Sequence, residues 1–552
     1  MTAATLASPR PGRLDGDDGF ARLLHAEWTK FRTVRGWVIA VIVAALVTLL
    51  LGVYTGARSQ NGCPYGPCHF TIATGPGGEA VTDTYSFVHR PLTGGGTITV
   101  RATSLTSVVE TAVTPQGPAR TQAALVPWSK AGLMITAGTG QGSRYAAVMV
   151  TGGHGTRMQW NYTGDAAGLT GGVSAASPRW LRLTRVGDVI TGYDSADGAS
   201  WTKIGAVTLP GLTSTVQAGL FATSPGYTQQ VSQQVSGGSS TGAPTDATAS
   251  FDRVGLQGGW PGDSWTGTSV NGGPKSISYP AGTEAGYREA GGTVTVTGSG
   301  DIAPGVVGAS PIDQTLAGWF IGLIAVIVVG ALFITAEYRR GLIRVTFAAS
   351  PRRGRVLAAK AIILGAVAFA AGLAGSAGAI ALGIPLLRGN GNAIYPTSTL
   401  TEVRVIAGTA ALTAVLAVFA LGVGAVLRHG AATVTVVITA VILPYLLAAA
   451  FPVLPVAAAD WLLRVTPAAG FAIKQGIPAY SQVAGNYTPS QDYFPLAPWA
   501  GLAVSCAWAA LALALAAFLL QRRDARNTRC TRNGRSSAPL PAPPGCCSPP
   551  PR

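Results

Sequence analysis

Charged side chains are scarce in this sequence of 552 residues. Asp, Glu, Lys and Arg make up 11% of it, against about 25% in ordinary soluble domains. Apolar residues account for 48%, and the mean hydropathy is +0.34. This composition disfavours a wholly water-soluble protein and predicts membrane segments.

Cysteine is also rare, with 6 residues in the whole chain, so a disulfide-rich scaffold is disfavoured. Cys63 and Cys68 lie in NGCPYGPCHF, and a local disulfide between them is expected if this side is extracytoplasmic. The alternative is a metal pair with His69, which would lack a fourth ligand. The remaining tail cysteines, Cys530, Cys546 and Cys547, are predicted to be cytoplasmic thiols.

Several chemical signatures are missing. The sequence has no GxxxxGK[ST] phosphate loop, so the chain is not expected to hydrolyse ATP itself. The apolar spans contain no Asp or Glu, which disfavours a proton- or ion-coupled transporter. No nucleophile motif surrounds His69, His89 or His154, and no carboxylate pair stands out. We therefore predict neither an enzyme nor a cofactor or metal bound by this chain.

The formal net charge of +16 is distributed unevenly. Residues 57–313 hold 14 basic and 14 acidic side chains, so the entire excess accompanies the apolar spans and their flanks. A nucleic-acid-binding protein would carry its basic residues on a folded soluble face. Nucleic acid is therefore not an expected partner, whereas membrane lipid is.

Six apolar stretches approach the roughly 20 residues that cross a bilayer as a helix. They are Trp37–Tyr54, Leu316–Ala336, Ala361–Leu387, Val405–Leu427, Ala431–Ala450 and Trp499–Leu520. Small residues in the third (GLAGSAGAIALG) favour close helix packing. Pro444 is expected to kink the fifth.

Basic residues cluster on alternate connections between these spans. The rich segments carry Arg22, Lys30, Arg32 and Arg35; Arg339, Arg340, Arg344, Arg352, Arg353, Arg355 and Lys360; Arg428; and Arg522, Arg523 and Arg526. Because basic loops stay inside, we predict a multi-pass plasma-membrane protein with both termini cytoplasmic and residues 57–313 outside. The first span has no cleavage site of the usual kind and should remain as an anchor.

The connections then divide the chain. Residues 1–36 form a cytoplasmic N-terminus with an amphipathic helix, and 337–360 form a cytoplasmic loop. Residues 452–496 form an outer loop with an interfacial helix, and 521–552 a disordered cytoplasmic tail.

The outer region has a different character. From residue 82 to 256, short apolar runs alternate with Gly, Asp and Ser turns, as in GTITVRATSL, AGLMITAG and RWLRLTR. This spacing predicts an antiparallel β-sandwich. Residues 257–313 are Gly-rich with one alternating strand, and either complete the sandwich or form a stalk. The predicted fold class is therefore a six-helix membrane protein with an extracytoplasmic sandwich.

One part of this region, WLRLTRVGDVITGYDSADGASWTKIG, resembles the hairpins of concanavalin-A-like and laminin-G-like modules, many of which bind carbohydrate. By this resemblance, a possible ligand face contains Trp128, Trp160, Tyr193 and Trp201. Aromatic residues in strands more often fill the core. The turn residues Asp188, Asp194 and Asp197 fit either a structural Ca²⁺ or ordinary turn chemistry.

The segment Ala336–Lys360 (AEYRRGLIRVTFAASPRRGRVLAAK) is the most informative of the inner connections. It combines a short amphipathic run with basic residues on both sides. The charges alone would fix topology, which is the simpler interpretation.

Three blocks together resemble the permease subunits of type-2 ABC exporters in their actinobacterial form. They are HAEWTKFRTVRGW, the loop EYRRGLIRVTFAASPRRGRVLAAK, and DWLLRVTPAAGFAI with the later PLAPWAGLAV. The resemblance implies a coupling contact with a separate ATPase subunit through Glu337, Tyr338, Arg339, Gly341 and Arg344. It also implies a homodimer or a paired permease. The large outer insert departs from simple relatives.

The leading hypothesis is an exporter permease whose sandwich contacts substrate, cell wall or an outer partner, with ATP bound by the partner subunit. The alternative is a membrane-anchored glycan-binding or sensory protein without transport. The third hypothesis is a membrane enzyme acting on glycans or lipids. It is disfavoured because the apolar spans contain no group of polar residues that could form an intramembrane site.

Overall fold

A computed structural model of the chain describes most of the sequence. The described residues are 19–59, 62–63, 66–67, 72–111, 120–231, 239–271, 279–305, 310–349, 352–450, 454–483 and 493–532.

Helices form both ends of the described chain. Their bounds are α1 Phe20–Thr33, α2 Arg35–Arg58, α3 Trp319–Arg339, α4 Leu342–Ala349, α5 Arg353–Gly389, α6 Thr399–Leu427, α7 Gly430–Tyr445, α8 Val456–Val465 and α9 Pro498–Arg532. Six helical stretches of the described chain are long and apolar enough to cross a membrane: α2, α3, α5, α6, α7 with its continuation to Ala449, and α9 as far as Arg522. Each of the six predicted spans falls on one of these helices.

Local chemistry sets several helix ends. The Ser398 hydroxyl accepts a hydrogen bond from the Thr401 amide at the start of α6, and His429 does the same for Ala432 at the start of α7. Side-chain acceptors at this position satisfy amides that a helix leaves unpaired. Gly341 has φ +69° between α3 and α4, a left-handed conformation that glycine adopts without strain.

We name the two ends of the bundle by the chain path. The sandwich end is where α2 ends and α3 begins, next to residues 59–311, and the far end is where α2 begins and α3 ends. Glycines let the helices approach closely between these ends. A Cβ added at Gly322 of α3 would lie 2.7 Å from the Ala44 carbonyl oxygen of α2, and one at Gly330 would lie 2.6 Å from that of Ala417 in α6.

The strands, in chain order, include several very short ones. Their bounds are β1 Gly62–Cys63, β2 Gly66–Pro67, β3 Val81–Asp83, β4 Tyr85–Thr93, β5 Gly96–Thr111, β6 Arg120–Ala123, β7 Lys130–Thr136, β8 Tyr145–Thr151, β9 Thr156–Trp160, β10 Gly164–Ala167, β11 Arg179–Val186, β12 Val189–Ser195, β13 Thr202–Thr208, β14 Thr215–Thr223, β15 Tyr227–Val231, β16 Ser239–Ala243, β17 Thr245–Gly258, β18 Thr266–Val270, β19 Gly286–Ala290, β20 Thr293–Gly298 and β21 Ile302–Pro304.

Two antiparallel sheets form the predicted β-sandwich. One has seven strands in the order β10-β9-β8-β7-β14-β4-β18, and the other runs β13-β12-β11-β5-β17-β20-β19 with β6 added beside β5. Strands β18, β19 and β20 come from the Gly-rich region after residue 257. Of the two predicted roles for that region, the described strands complete the sandwich.

Burial explains the runs of apolar residues in the seven-stranded sheet. Every residue of β7 and β8 is buried, so both faces of the sheet are covered, unlike the alternating pattern of a sheet with one wet face. One face packs on the eight-stranded sheet through residues such as Leu133 and Val148. The other carries a second cluster that includes Phe87, Tyr145 and Phe221.

Strands β11 and β12 form a hairpin. Strands β11 and β12 pair from Trp180↔Ser195 to Val186↔Val189. Gly187 in the turn has φ +60°, which favours glycine at this position.

The base of the sandwich meets the bundle. Strand β21, which leads back to α3, pairs with β3. The side-chain amide of Gln482, in the loop before α9, donates to the Thr163 carbonyl oxygen at 3.0 Å. Asp83 of β3 is buried and accepts a hydrogen bond from the Gly142 amide at 3.0 Å. Burial raises the pKa of Asp83 to about 6.

Three predictions need comment. Helix α9 continues to Arg532, so the helix runs beyond Leu520 into the segment predicted to be a disordered tail. Pro444 lies inside α7, which continues as a π-helix over Leu446–Ala450. Cys68 lies outside the described residues, as do Cys546 and Cys547, and the predicted Cys63–Cys68 disulfide therefore stays a prediction.

The close contact at Gly322 gives a stability prediction. Gly322→Ala should lower the thermal unfolding temperature in detergent, because the added methyl group meets the α2 backbone. Gly365→Ala is the matched control, since its Cβ would lie 3.4 Å from Val418 and alanine favours a helix by about 1 kcal/mol over glycine. An equal or higher unfolding temperature for Gly322→Ala than for Gly365→Ala would contradict the packing.

The raised pKa of Asp83 gives a pH prediction. The folded state binds the Asp83 proton more tightly than the unfolded state does. The stabilisation of the fold by this proton is therefore present below pH 4 and is lost as the pH rises through about 6. Asp83→Asn should therefore gain stability relative to the native chain at pH 7 but not at pH 4, by up to about 3 kcal/mol. Thermal unfolding at both pH values measures this. An equal stability difference between Asp83→Asn and the native chain at the two pH values would contradict the raised pKa of Asp83.

Candidate functional site at the far end of the bundle

Four charged side chains meet at the far end of the bundle. The Lys360 ammonium contacts Glu27 Oε2 at 2.7 Å and Glu337 Oε1 at 2.6 Å. The Lys30 ammonium contacts Glu27 Oε1 at 2.7 Å and Glu337 Oε1 at 3.5 Å. These residues form a closed set of two cations and two carboxylates, which we call the ion cluster.

Three helices supply the ion cluster. Glu27 and Lys30 lie one turn apart on α1, Glu337 lies in the last turn of α3, and Lys360 lies in the second turn of α5. Aromatic packing holds α1 in place. The ring of Phe31 lies edge-on to that of Phe333 in α3, with 5.7 Å between the ring centres. The Lys360 ammonium also lies 4.6 Å from the centre of that Phe333 ring.

Burial makes the ion cluster interdependent. The side chains of Glu27 and Lys360 are 0% exposed and that of Glu337 is 9% exposed. Removing a charge from water costs several kcal/mol, which a close and hydrogen-bonded partner offsets. Losing one member would therefore leave another charge buried without compensation.

The ion cluster also reaches α4. The Lys30 ammonium lies 3.4 Å from the Thr346 hydroxyl of that helix. Burial acts to lower the pKa of Lys30, but the hydrogen bond and charge of Glu27, with help from Glu337, outweigh it and raise the pKa above its usual value. Lys30 therefore stays charged at physiological pH and continues the contact from α1 to α4.

The structure separates the residues predicted for the coupling contact. Glu337 is buried and faces Lys360, so it stabilises the loop from within. Arg339 and Gly341 are exposed. Tyr338 is half-buried, and the Arg428 guanidinium lies 4.9 Å from its ring centre. Arg344 lies on α4, and its side chain is outside the described residues.

Sequence reasoning missed Glu27, Lys30 and Lys360 as site residues. A signal was present: Glu27 is an acidic residue within a strongly basic segment, and Lys360 directly precedes an apolar span. Pairing them requires knowing that α1 folds back against α3 and α5.

The candidate ligand residues of the sandwich are mostly packed. Trp128 is buried, and its ring stacks on that of His154 with 4.0 Å between the ring centres. Trp160 packs against the sandwich core. Trp201 is half-buried under the Arg182 guanidinium, 3.7 Å from its ring centre, and Tyr193 is half-buried. The four do not share one open face with free rings.

Backbone amides donate to all three aspartates, and only Asp197 bonds within its own turn. The Asp197 carboxylate accepts hydrogen bonds from the Ala199 and Ser200 amides, and these bonds lower its pKa. Asp194 accepts one from the Leu169 amide, and Asp188 one from Gly211. Among the described residues, no three His, Cys, Asp or Glu side chains are grouped closely enough to hold a metal ion.

Comparisons with known proteins identify no family for the chain. No family model matches it, and no curated protein matches its sequence. Solved structures that resemble part of it include SCP-B, a member of the Eqolisin family of peptidases in a complex with the tripeptide Ala-Ile-His. That match is 8% identical, with a TM-score of 0.24, and covers 39% of this chain and 98% of the other.

A functionally unknown protein from Saccharomyces cerevisiae matches with 15% identity and a TM-score of 0.19, covering 37% of this chain and 94% of its own. Scytalido-glutamic peptidase, with a transition state analog inhibitor, matches with 8% identity, a TM-score of 0.24 and coverage of 39% and 98%. Similarities with TM-scores this low establish neither the fold nor an activity of this chain.

Because Lys360 is buried in the ion cluster, its replacement should destabilise the chain far more than replacement of an exposed cation. Lys360→Met should destabilise the chain by about 3–5 kcal/mol, because it leaves two buried carboxylates with one partly exposed lysine. Arg339→Met, which removes an exposed cation at the end of α3, should shift stability by less than about 0.5 kcal/mol. Thermal unfolding in detergent compares the two.

Adding Glu337→Gln to Lys360→Met should recover part of the lost stability, since one uncompensated carboxylate is removed. Equal unfolding temperatures for Lys360→Met and Arg339→Met would show that the ion cluster does not stabilise the bundle.

Proposed function

We propose that this chain is the membrane-spanning subunit of an ATP-driven exporter of the type-2 ABC class. A separate ATPase subunit would bind at the far end of the bundle and supply the hydrolysis. The observation that carries the proposal is the ion cluster, which connects α1, α3 and α5 and touches α4 beside the exposed inner loop.

The ion cluster suits the transmission of motion. A force applied to α4 would act on α3 through the short Gly341 connection and on α1 through the Thr346–Lys30 contact. Because Lys360 and Glu337 are buried and paired, α1, α3 and α5 would move together at this end as one body. Rigid-body motion of helices about a docked element is a common way of coupling two subunits.

The surface around α4 suits a protein partner. Leu342 and Val345 are 50% and 67% exposed, and Arg339 and Arg340 are exposed beside them. Such a surface would fit an apolar cleft on the partner, flanked by acidic residues. An exposed apolar pair on a short helix is otherwise unfavourable in water.

The sandwich would lie on the opposite side of the membrane, following the distribution of basic residues. There it could contact substrate, cell wall or an outer partner. Its base is joined to the bundle through β21 and Gln482, which supports a domain held in a fixed position instead of one on a free tether.

Charge reversal tests the docking surface. The tagged full-length chain is purified in mild detergent, and the co-purifying proteins are identified by mass spectrometry. We expect an ATPase subunit with the native chain and its loss with the double variant Arg339→Glu/Arg340→Glu, which places negative charge beside α4. Arg464→Glu, an exposed reversal at the sandwich end, is the matched control and should retain the ATPase.

If the native chain recovers no ATPase while its bundle remains folded, export is contradicted. The alternative, a membrane-anchored binding or sensory protein, would then gain support. Equal recovery by the far-end and sandwich-end reversals would place any ATPase contact elsewhere on the chain.

A further inference from the structure

A second buried lysine lies at the sandwich end of the bundle, and its environment differs from that of Lys360. Lys474 ends the 3-10 segment Pro467–Lys474, all of whose residues are buried between α6, α7 and α9. Its neighbour Ile473 packs against Gly408 of α6, more than two turns after α6 begins. The side chain is 4% exposed, so the ammonium is largely withdrawn from solvent.

Aromatic rings surround this ammonium. It lies 4.9 Å from the ring centre of Phe320, 5.2 Å from that of Trp319 and 5.9 Å from that of Phe471. Tyr445 continues this wall, with its ring 4.9 Å from Phe320 and 5.0 Å from Phe471. Cation–π attraction contributes about 2 kcal/mol at a desolvated site, less than the several kcal/mol that burying an ammonium costs.

The described part of the chain places no carboxylate close to Lys474. Across the described ranges, no carboxylate lies within ion-pairing distance of its ammonium, and no hydrogen-bond acceptor contacts it. The nearby Arg404 adds positive charge: it donates to the Gln475 carbonyl oxygen, while its Nε has no hydrogen-bond partner. A cation that is withdrawn from water without a close carboxylate favours an anionic ligand.

We propose that Lys474 binds the anionic headgroup of a membrane lipid, with the lipid's apolar part lying against Phe320 and Tyr445, the two half-buried rings of this wall. The surroundings favour an amphiphile over a soluble anion. Trp461 and Trp499, each 62% exposed, lie at this same end, where exposed tryptophans are typical of the membrane–water interface. A soluble anion would lose its hydration among aromatic rings without burying apolar surface of its own.

The site belongs to the bundle alone and needs no ATPase, so its test is separate from that of the proposed export function. The full-length protein in neutral detergent is titrated with phosphatidylglycerol or phosphatidylcholine, and binding is followed by native mass spectrometry and by the unfolding temperature. We expect phosphatidylglycerol to bind and to raise the unfolding temperature, and phosphatidylcholine to do neither to a comparable extent.

Variants assign the effect to Lys474. Lys474→Met should weaken phosphatidylglycerol binding by at least about tenfold, the loss expected for one charge-assisted contact. Lys474→Arg should retain binding within about threefold. Arg464→Met, which removes an exposed cation at the same end, is the control and should bind as the native chain does.

The unfolding temperature without added lipid separates a ligand site from a structural lysine. Lys474→Met should then unfold at the same or a higher temperature than the native chain, because an uncompensated charge is gone. A lower temperature together with unchanged lipid binding would identify a purely structural cation and overturn the proposal. Competition by inorganic phosphate at millimolar concentration would also overturn it, in favour of a soluble anion.

A measurement on the native chain covers the case in which Lys474→Met does not fold. Phosphatidylglycerol with brominated acyl chains should quench tryptophan fluorescence more than brominated phosphatidylcholine does, because Trp319 lies at the site. Equal quenching by the two lipids would contradict selective binding there.

Discussion

The burial of charge within an apolar bundle is the constraint on which much of this structure depends. At the far end, Lys360 can lie fully buried because Glu27 and Glu337 both contact it, and Lys30 balances the second negative charge. The contacts define where α1 lies against α3 and α5. They also place α4 beside α1, since Lys30 faces both the carboxylates and Thr346.

The two buried lysines at opposite ends of the bundle have different surroundings. Lys360 has two carboxylate partners, and its site is complete within the chain. Lys474 lies among aromatic rings, without a carboxylate at ion-pairing distance in the described ranges, and we propose an anionic partner for it from outside the chain. By these two proposals, the chain would transmit motion at one end of the bundle and bind an anionic amphiphile at the other. The export proposal and the lipid proposal are therefore compatible, although neither requires the other.

The outer sandwich shows a different use of burial. Its seven-stranded sheet is covered on both faces, by the eight-stranded sheet and by the segments around β3 and β21. Trp160 of this sheet packs against the core between the two sheets, whereas Trp201, beside the eight-stranded sheet, is covered by the Arg182 guanidinium. Burial also explains the pKa of Asp83, whose carboxylate is buried where the sandwich joins the bundle.

The sequence alone predicts the six apolar helices, the position of the sandwich between the first two of them, and several turns, because helix length, apolar content and Gly or Asp turns are local properties. It also located Glu337 and the short helix α4 in the inner connection. Only the tertiary structure decided that Glu337 faces inward to Lys360, that Glu27 completes the ion cluster, and that Lys474 is enclosed by Trp319, Phe320 and Phe471. These contacts join residues up to 333 positions apart, and no local pattern specifies such pairings.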